Sequence, residues 1–92
     1  MLKHIESGIS GRGLGPNSLR HIKELASQLQ IRGVAFTKPD GSIRVAADGE
    51  ERNLEEFVKK LERVNIFSSI ENFYVKWQEP NEESKNFYVL AN

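Results

Sequence analysis

The sequence predicts a two-layer α+β sandwich, of order β-α-β-β-α-β with one further strand at the C-terminus, in which an antiparallel sheet carries two helices on one face. Three observations carry that prediction. Two apolar stripes at helical spacing, Leu19, Ile22, Ala26, Leu29 and then Leu54, Phe57, Val58, Leu61, flank a hairpin signal at Pro39-Asp40-Gly41-Ser42. A segment with strand alternation, Phe73, Val75, Trp77, follows the second stripe. At 92 residues the chain supports one core, so a single domain is expected over 1–92.

Taken in order, residues 2–10 form the first expected strand, with Ile5, Ser7 and Ile9 on one face. Glu6 and Gly8 weaken its local preference. Residues 11–15 form a glycine-rich turn. Pro16 suits the first positions of a helix, and Asn17 and Ser18 are expected to cap its free backbone N–H groups. The stripe ending at Leu29 implies a helix that stops before Gly33. Strands are expected over 34–38 and 43–47, joined by a turn in which Pro presets φ and Gly accepts a positive value. Asn53 is the expected cap of the second helix, with Glu56 three residues on to close a capping box. Glu55 and Glu56 complement the helix start, Lys59, Lys60 and Arg63 its end. The pairs Glu55–Lys59 and Glu56–Lys60 have the favourable orientation. A strand over 70–78, a polar loop over 79–85 and a short strand over 87–90 complete a split βαβ, ferredoxin-like order.

Composition removes several classes of function. Thirteen basic residues balance thirteen acidic ones, so neither nucleic acid nor a membrane is the expected partner. With no cysteine, disulfides and thiolate nucleophiles are excluded, and a cytoplasmic setting is expected. The segment Met1-Leu2-Lys3-His4-Ile5-Glu6 has no apolar run of signal-peptide type. Two histidines leave no ordinary zinc set, so no metal and no cofactor are expected. No heptad or apolar excess calls for a second copy, which makes a monomer the expectation.

The stretch 9–49, with Ile9, Gly11 and Gly15 before the first helix and Gly33, Gly41, Ile43 and Gly49 around the hairpin, resembles the acylphosphatase family, small enzymes that hydrolyse carboxyl–phosphate anhydrides without a metal. In the family's first motif, aliphatic-x-Gly-x-Val-Gln-Gly-Val-x-Phe-Arg, the residues Ile9, Gly11 and Gly15 match. Gly13, Leu14, Pro16, Ser18 and Leu19 replace Val, Gln, Val, Phe and Arg. In the second motif, Gly-aromatic-Val-x-Asn followed by two further spaced glycines, Gly33, Gly41, Ile43 and Gly49 match or are conservative. Val34 stands at the aromatic position and Thr37 at the Asn. Ala26, Leu29, Ile31, Phe57, Leu61, Ile70, Phe73, Val75, Trp77, Phe87 and Val89 fit the family's remaining elements, so the resemblance covers nearly the whole chain.

The resemblance implies an acylphosphatase-like fold and a phosphate-binding loop whose backbone N–H groups meet a helix N-terminus. It implies Arg12, Gly13, Leu14, Gly15, Asn17 and Ser18 as candidates for holding a phosphate or acyl phosphate anion. In the family an Arg clamps the phosphate and an Asn positions the attacking water. Leu19 and Thr37 occupy those two catalytic positions. Leu19 offers neither charge nor donor, Thr37 reaches less far than a carboxamide, and Pro16 removes one backbone N–H. The expected function is therefore a catalytically silent or very weak member acting as an anion-binding or interaction module. The alternative is an active acylphosphatase with a rearranged site that uses Arg20 or Arg12 with Thr37. Arg20 lies one position past the family's Arg, about 100° round the helix.

Other features read more plainly as structure. Gly11, Gly13 and Gly15 do not have dinucleotide-fingerprint spacing, and the element order is not doubly wound. His21 flanks the apolar stripe and is read as a surface or half-buried residue. Glu50, Glu51, Glu55 and Glu56 are a solvated helix start. Phe73, Trp77 and Phe87 are strand packing, and the aromatic pattern of RNA-recognition modules is missing from the expected central strands. Tyr74, Tyr88 and the loop at 79–85 are candidate contacts for a protein partner.

Overall fold

In a computed structural model, residues 1–12, 14, 16–63, 69–80 and 86–90 are described. β1 (Leu2–Arg12) runs into α1 (Pro16–Gln28), and β2 (Arg32–Thr37) turns back into β3 (Ile43–Glu50). α2 (Glu51–Leu61), β4 (Ser69–Gln78) and β5 (Phe87–Leu90) follow. The sheet order is β4-β1-β3-β2-β5. The first four strands are antiparallel, as the sequence implies. β5 joins the edge of β2 in parallel, which makes the five-stranded sheet mixed.

The core lies between the sheet and the helices. β1 and β3 contribute Ile5, Ile9, Ile43, Val45 and Ala47; α1 contributes Leu19, Ile22 and Ala26; α2 contributes Leu54, Phe57 and Leu61. Both expected stripes face inward, with Leu29 and Val58 packed at their margins. Phe87 of β5 meets Phe57 edge to face, with ring centroids 6.2 Å apart. Phe73 and Val75 pack against the core from β4, whereas Trp77 remains exposed, contrary to its reading as packing. Its strand lies at the sheet edge, and it faces a groove with Lys3, Glu51 and Glu55.

Several boundaries differ from expectation for reasons that lie outside the local sequence. β1 extends to Arg12, because Gly11 and Arg12 pair with Ile70 and Ser69 beyond a register shift after Ser10. α1 starts at Pro16, so Asn17 and Ser18 lie within its first turn and neither is the N-cap. Asn53 does not cap α2 either. β3 feeds directly into that helix, Glu50 is the N-cap residue in an extended conformation, and its side chain makes no capping bond. The Glu51 N–H instead donates to the Met1 carbonyl at 2.9 Å. The Glu56–Lys60 pair is present at 4.0 Å on the exposed face of α2.

α1 closes at Gln30, which adopts φ 55 in the left-handed region. Ile31 N–H donates to the Ala26 carbonyl at 2.8 Å and Gln30 N–H to that of Ser27 at 3.3 Å. That pair of bonds is the Schellman arrangement. The β2–β3 turn carries Gly41 at φ 89, and Asp40 Oδ1 accepts bonds from Ser42 N–H at 2.9 Å and Ser42 Oγ at 2.6 Å. Gly33 has φ 138, and a Cβ there would lie 1.9 Å from the Ala46 carbonyl oxygen. Only glycine fits at that point of β2.

Candidate anion-binding site

The fold brings the two sequence motifs to one end of the sheet. Ile9 on β1 is opposite Ile43 on β3, and Ile43 is opposite Thr37 on β2. The end of β1 that leads toward α1 therefore shares a row with the last residue of β2. By strand alternation from buried Ala35, Thr37 points to the helix-bearing side. It is half-buried.

Around this end the candidate residues separate. Arg12 is exposed at the tip of β1, its Nε 3.8 Å from Glu71 Oε1 on the adjoining strand. Leu14 is half-buried and packs against the core. Gly13 and Gly15 lie outside the described residues. Asn17 is exposed and Ser18 is buried in the first turn of α1. Leu19 is 2% exposed and belongs to the core cluster with Ile9, Ile22 and Ile43. Arg20, the next residue, is exposed. The helix therefore turns the aliphatic Leu19 side chain inward and presents the Arg20 cation to solvent. His21 is also exposed.

A second polar cluster was not singled out by sequence. His4 Nδ1 lies 2.9 Å from Asp48 Oδ1, and His4 Nε2 lies 2.6 Å from Glu6 Oε2. His4 and Asp48 are both buried. Burial works against the charged ring, but the hydrogen bonds to Glu6 and Asp48 outweigh it and raise the His4 pKa above its ordinary value. Both ring nitrogens can donate together only in the protonated ring. His4 and Glu6 are two apart on a strand, so their shared face is readable from sequence. Asp48 reaches them only through the β1–β3 register, which places it opposite His4.

Among the described residues no group of three or more His, Cys, Asp or Glu side chains is arranged to hold a metal ion, and no helix is long and apolar enough to cross a membrane. No buried side-chain nitrogen or oxygen among them lacks a partner. The candidate protein contacts Tyr74 and Tyr88 are both exposed, on strands at opposite edges of the sheet.

Comparison with known proteins agrees with this architecture. A sequence model of the acylphosphatase family matches residues 9–89. An acylphosphatase of Clostridium acetobutylicum is 27% identical over 82 residues, spanning 89% of this chain and 90% of its own. One from Caldanaerobacter subterraneus is 26% identical over 89 residues, spanning 97% and 99%. The crystal structure of acylphosphatase from Bacillus subtilis superposes with a TM-score of 0.86 at 22% identity, covering 98% of this chain and 99% of that one. At that identity the superposition speaks for the fold alone.

Proposed function

The chain belongs to the acylphosphatase family, and from that premise we propose that it is a diverged member whose hydrolysis of acyl phosphates is silent or very weak, while its loop between β1 and α1 still binds a phosphate-like anion. The observation that carries this reading is the burial of Leu19 in the core, at 2% exposure. An intact family member uses a guanidinium at this position to hold the transferring phosphoryl group. Loss of one preorganised donor typically removes about 2.7–4 kcal/mol of transition-state stabilisation. Thr37 keeps a hydroxyl at the family's Asn position, with a shorter reach, and Pro16 brings no N–H to the helix start. The N-terminus of α1, where backbone N–H groups lack intrahelical acceptors, and the exposed Arg12 support residual anion binding.

The rearranged-site reading uses Arg20 or Arg12 as the clamp. It is favoured by one observation, the exposure of Arg20 near the start of α1. Arg20→Ala separates the two readings, since it abolishes hydrolysis only if that residue has taken over the clamp.

The decisive measurement is hydrolysis of benzoyl phosphate by the purified protein beside the Leu19→Arg, Thr37→Asn double variant, with circular dichroism reporting the fold of each. We expect a natural protein slower than an intact family member by several orders of magnitude, and a gain of activity in the folded double variant. A natural protein with ordinary family turnover overturns the proposal and directs attention to Arg20 and Arg12.

A further inference from the structure

On the sheet face away from the helices, β1, β3, β4 and the β2–β3 turn enclose a cleft of about 170 Å³. Its floor is a cross-strand row in which Tyr74 is opposite Gly8 and Gly8 is opposite Arg44. The outer edge of the Tyr74 ring lies over Gly8. A Cβ at Gly8 would stand 2.3 Å from Tyr74 Cε1 and 2.9 Å from its hydroxyl oxygen. The absence of a side chain at Gly8 therefore lets the phenol hydroxyl reach across β1 toward the Arg44 strand. Ser10 and Asn72, opposite each other in the next row of that face, add a hydroxyl and an amide, and Lys38 adds a second cation from the turn.

The charges in the cleft are arranged for an anion. Arg44 is half-buried, and among the described residues no carboxylate lies within ion-pair distance of it. Asp40 is the carboxylate of the rim, and its Oδ1 is already engaged by the Ser42 N–H and hydroxyl. Lys76 Nζ sits 6.0 Å from the Tyr74 ring centroid and adds positive potential nearby. Of the other carboxylates on that face of β1 and β3, Glu6 and Asp48 are engaged with His4 and Glu50 with the Met1 amino group.

We propose that this cleft is an anion site separate from the loop before α1, taking a phosphate group, either free or as the end of a small phosphomonoester. Arg44 supplies paired guanidinium donors, Lys38 a point charge, and the Tyr74 and Ser10 hydroxyls complete the oxygen contacts. The size and the two cations suit a compact dianion, and the site does not depend on hydrolysis at Leu19 and Thr37.

The test is a ¹⁵N amide titration of the whole protein with inorganic phosphate and, separately, phenyl phosphate, each referenced to chloride at equal ionic strength. The proposal expects saturable shifts at Gly8, Ser10, Arg44 and Asn72, with affinity weakened about tenfold or more by Arg44→Gln. Lys38→Gln, at the turn surface, weakens binding in the same direction and serves if the first variant fails to fold. Tighter binding of phenyl phosphate identifies a monoester ligand; equal binding identifies free phosphate. Saturable shifts confined to residues 12–20 place the anion on the loop and overturn the proposal. Shifts that merely follow ionic strength, or variants that bind like the natural protein, overturn it as well.

Discussion

His4 is held on both sides by carboxylates, and that arrangement makes stability depend on pH in a defined direction. Its folded pKa is raised above the unfolded value of about 6.5. The stabilisation is therefore complete below about pH 6.5 and is lost as pH rises through the folded pKa. We expect the melting temperature of the natural protein to exceed that of His4→Gln by more at about pH 6 than at alkaline pH, the gap closing as pH rises through the folded pKa. A gap that does not change with pH would show that the charged ring contributes nothing. Leu19 illustrates the opposite case, in which one residue's polarity sets its direction. An aliphatic side chain in the first turn of α1 completes the buried stripe with Ile22 and Ala26. The stripe is legible in the sequence; the depth of Leu19 in the core, with Arg20 turned outward beside it, is visible only once α1 is docked.

At the scale of elements, the periodicities predict both helices and all five strands, and the errors cluster at the ends. Helix ends are set by whichever group satisfies their free N–H and C=O groups, and that group can come from anywhere in the chain. α2 receives the Met1 carbonyl, about fifty residues distant in sequence, which makes a local Asn53–Glu56 box unnecessary. α1 ends on a left-handed Gln30 where glycine is the usual residue. A non-glycine residue in this conformation costs about 1–2 kcal/mol. We expect Gln30→Gly to stabilise the protein by about 0.5–1 kcal/mol after the added freedom of the unfolded chain is counted, or about 2–8 °C in melting temperature. Thermal unfolding of the two proteins side by side decides it. An unchanged or lowered midpoint would mean that the Gln30 side chain contributes more than its backbone conformation costs.

At the scale of the whole molecule, β5 is the element whose position matters most for its length. It has four residues, yet it covers the open edge of β2 and delivers Phe87 onto Phe57. A chain of 92 residues has a total stability of about 5–14 kcal/mol. Phe87 is 7% exposed, and its truncation should cost about 3–5 kcal/mol, a large part of that total. We expect Phe87→Ala to move the urea midpoint down by the corresponding amount. A loss below about 1 kcal/mol would show that β5 is dispensable to the core.

The sequence by itself determined which side chains of the two helices face the core and where the β2–β3 turn falls. Each of these follows from residue type and short spacing, which act over a few neighbours. Only the tertiary structure decided that β5 runs parallel to β2, that Asp48 closes on His4 across a separation of 44 residues, and that Gly8, Arg44 and Tyr74 meet in one cleft. Those outcomes depend on strand register, and register is chosen by the collective burial of one sheet face against both helices, because a slip of one residue would turn every core side chain outward.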